Sequence, residues 1–419
     1  MKWLMTIVAV AALGAIALTA VVMMASSRLA LPRRSSPSSG VWANSAQSSQ
    51  THTSTIAAEK PLLAPAPGSP VPVTGGALAA GDVNGDRLAD LVLVNETSLQ
   101  VTFGHATGPW PKDPDATTEL AVSGSEIALA DLDGDGKLDV VLADHNSYKV
   151  AVLRGDGAGR FKAFPGSPVV ARDGDQPHTH GLAVVDLNAD QHPDIITANN
   201  ADGDLSVLLG DGRGSFTRAK GSPFACGRKP YPIAAADING DGHADILVPN
   251  ALPEDLQVRT LTILLGNGHG QLTAAPNSPL VCDASLWYVA AGDLNGDEQT
   301  DVVATYTEGG TGATVLLNSG QGGLSPAPSS PLQFGHGAWG VEIADMNRDG
   351  KADLVIAADE TIRLLLGDGR GSFQPAAGSP YSTGKGAWRL VVADVNGDGK
   401  LDVATRCVEA KRLEILLGN

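Results

Sequence analysis

Short apolar runs alternate with turns rich in Gly, Asn and Asp along most of the chain. From about residue 61, one order of segments recurs: an apolar run, an acidic turn, a second apolar run, and a third that ends in a Gly-rich turn. The runs consist mainly of Val, Ile, Leu and Ala, as at 194–198 and 205–209. Such runs, bounded by turn residues, are typical of strands. The pattern predicts an all-β chain with four short strands in each repeat.

The acidic turns set the length of the repeat. Each turn reads Asp-x-Asn/Asp-x-Asp-x-x-x-Asp, and successive turns start 49 to 56 residues apart. Their first residues are Asp82, Asp131, Asp186, Asp237, Asp293, Asp345 and Asp394. A four-stranded unit of about 50 residues that occurs seven times predicts a seven-bladed β-propeller with four-stranded blades. A linear solenoid of the same units is the alternative.

The two ends of the repeat region indicate how a propeller would close. The last repeat stops at Asn419, after its third predicted strand. Upstream of the first acidic turn, residues 62–71 are similar to residues 161–169, a segment in the position of a fourth strand. We therefore expect the N-terminal strand to join the last blade as its outer strand and to close the ring, which would remove two exposed sheet edges.

The first apolar run of each repeat is built from small side chains, as at 77–80 and 233–236. Seven strands crowded around one axis would require small residues. This run is therefore the predicted innermost strand.

Two different segments precede the repeats. Residues 1–27 combine Lys2 with an uncharged, mostly apolar stretch, which predicts either a signal peptide or a membrane anchor. Residues 28–60 are rich in Ser and Pro and have no apolar period, which predicts a solvated linker. Residues 61–419 form the predicted propeller.

The acidic turns present side-chain oxygens at positions 1, 3, 5 and 9. Six to eight oxygen ligands suit Ca²⁺, whereas Zn²⁺ prefers His or Cys and Mg²⁺ demands a stricter geometry. The turns therefore predict up to seven Ca²⁺ ions, although Asp, Asn and Gly also favour turns without any metal. The candidate ligands are Asp82, Asn84, Asp86, Asp90, Asp131, Asp133, Asp135, Asp139, Asp186, Asn188, Asp190, Asp194, Asp237, Asn239, Asp241, Asp245, Asp293, Asn295, Asp297, Asp301, Asp345, Asn347, Asp349, Asp353, Asp394, Asn396, Asp398 and Asp402.

Positions 4 and 6 of the turns rank these sites. Gly at both positions would let the chain fold tightly around an ion, and the turn from Asp131 has both glycines. The turn from Asp186 has Ala189 and Gln191 instead, so we expect it to bind most weakly.

The acidic turns occur together with Gly-rich segments such as 208–216 and its counterparts ending in Phe161 and Phe373. In this combination the chain resembles FG-GAP/VCBS-type repeats, found in the integrin α-subunit propeller and in a mushroom lectin that binds N-acetylglucosamine. The resemblance covers about 61–419. It implies calcium turns on the lower face, ligands on the upper face or between blades, and an extracytoplasmic location: secreted, periplasmic or anchored by the N-terminus.

One column of residues lies six positions before the first Asp of each turn. The first two members are Gly76 and Ser125, and the later ones are His180, Tyr231, Trp287, Trp339 and Trp388. Aromatic rings with a polar edge suit sugar rings or peptide side chains, so these five residues are the candidate ligand-binding residues. The alternative is that the rings cover the inner strands or plug the axis.

The charge of the chain argues against one class of function. The chain has 29 basic and 46 acidic side chains and a net charge of −17, which opposes binding to nucleic acid. The sequence predicts a non-enzymatic propeller, monomeric, that recognises a glycan or an extracellular or periplasmic protein on the face opposite the calcium turns. An enzyme acting on polysaccharide, with His178, His180 and Tyr231 as candidates, is one alternative, and a structural or assembly module is another. His178 and His180 also form a candidate transition-metal pair, and a Cys226–Cys282 bridge is conceivable.

Overall fold

The computed structural model describes residues 60–95, 97–175, 177–251, 259–308, 312–320 and 322–419. Strands are the regular secondary structure of these residues. None of them belongs to a helix of sufficient length and apolarity to cross a membrane. The predicted signal peptide or anchor, and all of the predicted linker except Lys60, lie outside the described ranges.

Each of the first repeats folds into one antiparallel sheet, as the apolar runs predict. The strands of the first repeat are β3 (Leu78–Gly81), β4 (Asp90–Asn95), β5 (Ser98–Thr102) and β6 (Ala116–Glu119). Those of the second are β7 (Gly124–Ala130), β8 (Asp139–Asp144), β9 (Lys149–Gly155), β10 (Phe161–Ala163) and β11 (Val169–Val170). Those of the third are β12 (Thr179–Val185), β13 (Asp194–Asn199), β14 (Asp204–Gly210), β15 (Phe216–Arg218) and β16 (Phe224–Ala225).

The later repeats continue this order. The fourth comprises β17 (Ala234–Ala236), β18 (Asp245–Ala251), β19 (Arg259–Gly266), β20 (Leu272–Ala274) and β21 (Leu280–Val281). The fifth comprises β22 (Ser285–Gly292), β23 (Asp301–Glu308), β24 (Gly312–Asn318), β25 (Leu324–Pro326) and β26 (Leu332–Gln333). One larger sheet holds β27 (Gly340–Ala344), β28 (Asp353–Gly367), β29 (Phe373–Pro375), β30 (Tyr381–Ala393), β31 (Asp402–Cys407), β32 (Arg412–Gly418), β1 (Leu63–Pro65) and β2 (Val71–Pro72).

The N-terminal segment pairs with the last strand of the chain. β1 and β2 both run antiparallel to β32, with Leu63 opposite Gly418 and Val71 opposite Leu413. This is the pairing that the similarity between residues 62–71 and 161–169 predicts. The segment therefore occupies the outer position of the last repeat.

A serine hydroxyl explains why Ser-Pro recurs in the outer strands. All of these strands except β6 are in two pieces on either side of a Ser-Pro bond, and one N–H of the third strand between the pieces has no partner in the ladder. The Ser379 hydroxyl accepts that hydrogen bond from Leu364 N at 3.0 Å, and Ser69 accepts the equivalent bond from Ile415 N at 2.9 Å. The same role falls to Ser167, Ser222, Ser278 and Ser330.

Apolar clusters lie between consecutive sheets. The second strand of a repeat is buried along its length, as β8 and β13 are, because its residues pack against a neighbouring sheet on each face. One cluster joins the last repeat to the first and includes Leu91, Val391 and Ile415. Beside it, His105 N donates a hydrogen bond to Val395 O at 3.0 Å.

The first strands line a common cavity of about 670 Å³. Its walls include Ala79, Ala128, Ala183 and Ala235 from the first four repeats, together with residues of β22, β27 and β30. The small side chains noted in the first apolar runs thus line this cavity.

Replacing Ser69 should reveal whether the N-terminal segment contributes to the stability of the last repeat. Ser69→Ala removes the acceptor for Ile415 N and should lower the free energy of unfolding by about 1 kcal/mol. Ser222→Ala, at the equivalent position of an interior repeat, should have a similar effect, whereas Ser382→Ala, at an exposed position, should have little. Thermal melts of the three variants test this; an unchanged melting temperature for Ser69→Ala alone would show that the segment is not docked in solution.

Candidate functional site

Each acidic turn is organised by its first aspartate. In the second repeat, Asp131 Oδ1 accepts a hydrogen bond from Gly134 N at 2.8 Å, and Oδ2 accepts one from Gly136 N at 2.9 Å. Asp133 and Asp135 accept backbone N–H groups two positions further on. The turn therefore folds around its own carboxylates, which stay at the surface with lone pairs left for a further ligand.

The aspartate at position 9 is buried and joins three parts of the repeat. Asp139 accepts Leu132 N at 2.9 Å with one oxygen and Gly155 N at 2.8 Å with the other, so it links the turn to the end of the third strand. Burial raises the pKa of Asp139 to about 6 although both hydrogen bonds lower it. The same pair of bonds recurs at Asp90, Asp194, Asp245, Asp301, Asp353 and Asp402.

The turn from Asp131 has the donor chemistry of a calcium site. Carboxylate oxygens of Asp131, Asp133 and Asp139 lie within 4.8 Å of one another. Arg154 contacts this group, with its Nε 2.8 Å from Asp133 and a terminal nitrogen 3.0 Å from Asp135. Because the Arg154 side chain is about half exposed, it would be free to move aside for a cation. Three converging hard oxygens fit Ca²⁺.

Positions 4 and 6 adopt the left-handed backbone conformation in every turn. Gly134 and Gly136 have φ of 73° and 79°, and the non-glycine residues at these positions follow the same path. Ala189 has φ of 61° and Gln191 has φ of 70°. The backbone at positions 4 and 6 therefore has the conformation that favours glycine, which is the basis on which the sequence ranks the turns. The order of calcium affinities stays a prediction.

The structure brings the five candidate ligand-binding residues into one continuous cluster. Ring centroids are 5.1 Å apart for His180 and Tyr231, 4.2 Å for Tyr231 and Trp287, and 5.3 Å for Trp287 and Trp339. Trp388 lies 6.3 Å from both other indoles. All five are half-buried, so they pack on one another and still present surface. We call this set the aromatic cluster.

Two polar edges of the aromatic cluster have no acceptor. The indole N–H groups of Trp287 and Trp388 are buried, and neither donates a hydrogen bond to a described residue. A buried donor without an acceptor is costly, so an oxygen supplied from outside the protein would be favourable here. The first two positions of the column lack rings; at the second, Ser125 donates to the backbone carbonyl of Thr179 or Ala143.

Sequence reasoning missed two groups of polar residues near this face. His145 lies beside His178 and His180, with centroid distances of 4.4 and 5.0 Å. His145 belongs to the second repeat and follows the second strand of that repeat. The column of candidate ligand-binding residues lies near the first strands, so it does not contain His145. The sequence feature that points to His145 is its place just after the second apolar run of its repeat.

The three cysteines are free thiols, so the conceivable bridge between Cys226 and Cys282 is absent.

The second missed group lines the central cavity. Arg389 forms an ion pair with Glu126 from the second repeat and lies 5.3 Å from the centroid of the Tyr288 ring. Glu342 lines the same cavity, and burial raises the pKa of each glutamate to about 7 despite the attraction of Arg389. One guanidinium thus serves two carboxyl groups that lie far apart in the sequence.

Comparison with known families identifies the repeats. The FG-GAP-like repeat model matches residues 82–142, 131–197, 186–248, 293–356 and 345–405, which together span more than half of the chain. The chain belongs to the FG-GAP-like repeat family. Every matched FG-GAP-like range starts at the first aspartate of an acidic turn.

Solved structures with similar folds are β-propellers of low sequence identity. One is an Agrocybe aegerita lectin, described as recognising non-reducing terminal N-acetylglucosamine, with 20% identity and a TM-score of 0.51 over 74% of this chain and 82% of that one. Another is BBS1N in complex with ARL6DN, with 12% identity and a TM-score of 0.57 over 85% of this chain and 96% of that one. At these identities the likeness concerns the fold, which is that of a β-propeller with FG-GAP-like repeats.

Backbone conformation predicts opposite effects of glycine substitutions in two FG-GAP-like turns. Gly136→Ala introduces no clash, since a Cβ there meets nothing within 4 Å, but it should cost about 1 kcal/mol because φ is positive. Gln191→Gly should stabilise by up to about 1 kcal/mol for the same reason. Arg213→Gly, at an exposed position without positive φ, is the control and should not stabilise. Denaturant unfolding without metal tests the set, and a destabilised Gln191→Gly would contradict the account.

The cavity carboxyls predict a specific pH dependence. A buried glutamate whose pKa is raised to about 7 contributes stability below its unfolded pKa, and this contribution is lost as pH rises through about 7. Glu342→Gln removes that loss, so the melting temperature of the variant should fall less between pH 5.5 and 8.5 than that of the parent. Glu360→Gln, at an exposed position, should follow the parent. Parallel curves of melting temperature against pH for all three proteins would refute the assignment.

Proposed function

We propose that the FG-GAP-like repeats form seven blades that close into a ring, with the N-terminal segment as the outer strand of the last blade. Three observations support closure. The segment pairs with β32, an apolar cluster joins the last repeat to the first, and the first strands line a common cavity. A linear solenoid would leave its first and last repeats apart.

We infer that the acidic turns bind Ca²⁺ through the oxygens at positions 1, 3, 5 and 9. In the turn from Asp131 these ligands are Asp131, Asp133, Asp135 and Asp139, and the equivalent residues serve in the other six turns. The bound ion would neutralise carboxylates that otherwise repel one another. Seven divalent ions would also offset most of the net charge of −17. Calcium is abundant outside the cytoplasm, which together with the apolar segment 1–27 supports an extracytoplasmic location.

The proposed activity is ligand recognition by the aromatic cluster, without catalysis. One observation carries it: the rings of His180, Tyr231, Trp287, Trp339 and Trp388 meet in one half-buried surface. They come from successive repeats, and each lies at or near the end of a first strand opposite the acidic turn that follows it. Indole faces stack on the apolar faces of sugar rings, and the unpaired indole N–H groups of Trp287 and Trp388 would donate to hydroxyl oxygens after a rotation that exposed them. We therefore propose a glycan as the ligand. The chain would act as a monomer.

A protein ligand is the second candidate. It is favoured by the similarity to BBS1N, whose structure is a complex with ARL6DN. Rings that stack on a sugar also accept an apolar or cationic side chain, so the same surface would be used.

A glycan screen with and without chelator tests function and calcium together. The chain should bind a subset of glycans, and Trp339→Ala or Trp388→Ala should weaken binding at least tenfold, whereas Phe334→Ala, a half-buried ring outside the cluster, should not. Chelator should lower the melting temperature, because an ion bound to the folded state stabilises it, and added Ca²⁺ should restore it. Binding that survives both tryptophan substitutions would refute the site; melting that ignores chelator would refute the calcium assignment.

A further inference from the structure

Three histidines from two adjacent repeats converge beside the aromatic cluster. His145 follows β8, His178 precedes β12, and His180 lies within β12. One ring nitrogen of each lies within 4.8 Å of those of the other two. The ring centroids are 4.4 to 5.0 Å apart. Ligand atoms this close can reach one small ion with modest side-chain rotations.

Backbone contacts hold the strands that carry these rings. Thr179, between two of the histidines, is buried, and its N–H donates to the carbonyl of His145 at 3.4 Å. Asn200 N donates to His178 O at 2.7 Å. The side chain of Asn146 lies 3.1 Å from Nδ1 of His145, which leaves Nε2 of that ring available. The convergence is therefore a property of the fold and of one orienting amide.

We propose that His145, His178 and His180 bind a divalent transition-metal ion such as Zn²⁺, with a coordination position left open. Three imidazoles plus an exchangeable ligand is a donor set that Zn²⁺ accepts, at N–Zn distances of about 2.0–2.1 Å. Imidazole nitrogen selects such metals over Ca²⁺ and Mg²⁺, so this site and the acidic turns would not compete for the same ion.

A hydrogen bond already pairs two of the three rings. Imidazole binds a metal ion in its neutral form. Without metal, Nε2 of His178 and Nε2 of His180 lie 2.6 Å apart in a hydrogen bond, so one of them carries the shared proton. For both Nε2 atoms to act as ligands, that proton would have to sit on Nδ1 of the same ring.

The opposing interpretation is that the three rings only pack against Tyr231 and one another. A ring stack would need no metal and would be indifferent to which imidazole nitrogen is free. The two interpretations differ in what happens when metal is added, because only a coordination site gains a stoichiometric ion.

Titration of the purified chain with a transition metal, in excess Ca²⁺, distinguishes a metal site from simple packing of the three rings. Co²⁺ should bind with one equivalent and give the intense visible absorption of a low-coordinate nitrogen site, and Zn²⁺ should displace it and raise the melting temperature. His145→Ala and His178→Ala should each weaken Co²⁺ binding at least tenfold. His269→Ala, an exposed histidine in another turn, should bind as the parent does.

The melting temperature of each variant without metal shows whether it folds. His145 and His178 are both half-buried, so if one variant fails to fold, the other still tests the site. Absence of Co²⁺ binding by the parent, or binding that is unchanged in both variants, would overturn the site. The test does not involve glycan binding, so its result is independent of the proposed function.

Discussion

The structure depends on a buried carboxylate that accepts two backbone hydrogen bonds in every repeat. The aspartate at position 9 begins the second strand, binds the N–H that opens the acidic turn, and binds another N–H where the third strand ends. A buried carboxylate without partners would be costly, and an unpaired buried N–H would be as well. Each group removes the penalty of the other, so the turn, the second strand and the third strand are held in one fixed arrangement.

At the outer edge of the sheets, a backbone N–H without an acceptor is paired in a different way. Where the fourth strand breaks at Ser-Pro, a serine hydroxyl replaces the missing carbonyl as acceptor. The first repeat is the exception, since β6 pairs along β5 without a break and no Gly-Ser-Pro follows it. Because the serine contact lies on the edge away from the cavity, it stabilises the blade and leaves both ends of the molecule free to vary.

The structural features that depend on spacing within one repeat can be predicted from the sequence. The acidic turns, the strands beside Asp194 and the aromatic column follow from a fixed distance along the chain, and so does the similarity of residues 62–71 to an outer strand. Contacts between repeats do not follow from that distance. The ion pair of Glu126 and Arg389 joins residues 263 positions apart, and His145 meets His180 only because neighbouring sheets pack side by side. The spacing along a repeat is periodic, whereas the pairing of side chains across the cavity depends on how the sheets pack against one another.

The two ends of the molecule differ in the kind of ligand atom that they present. At one end, repeated carboxylates and amides offer hard oxygens, and the position 9 aspartates are held ready by backbone N–H groups. At the other end, the residues are indoles, a phenol and imidazoles, whose donors are nitrogens or ring faces. The cavity between them is lined mainly by apolar side chains, with Glu126, Glu342 and Arg389 within it and Asp131, Asp186 and Asp237 where it meets the acidic turns. A hard cation would therefore bind at the turns, and a softer metal or a ring-shaped ligand at the opposite end. The residues of this proposed binding surface could then vary from repeat to repeat without disturbing the turns that hold each repeat together.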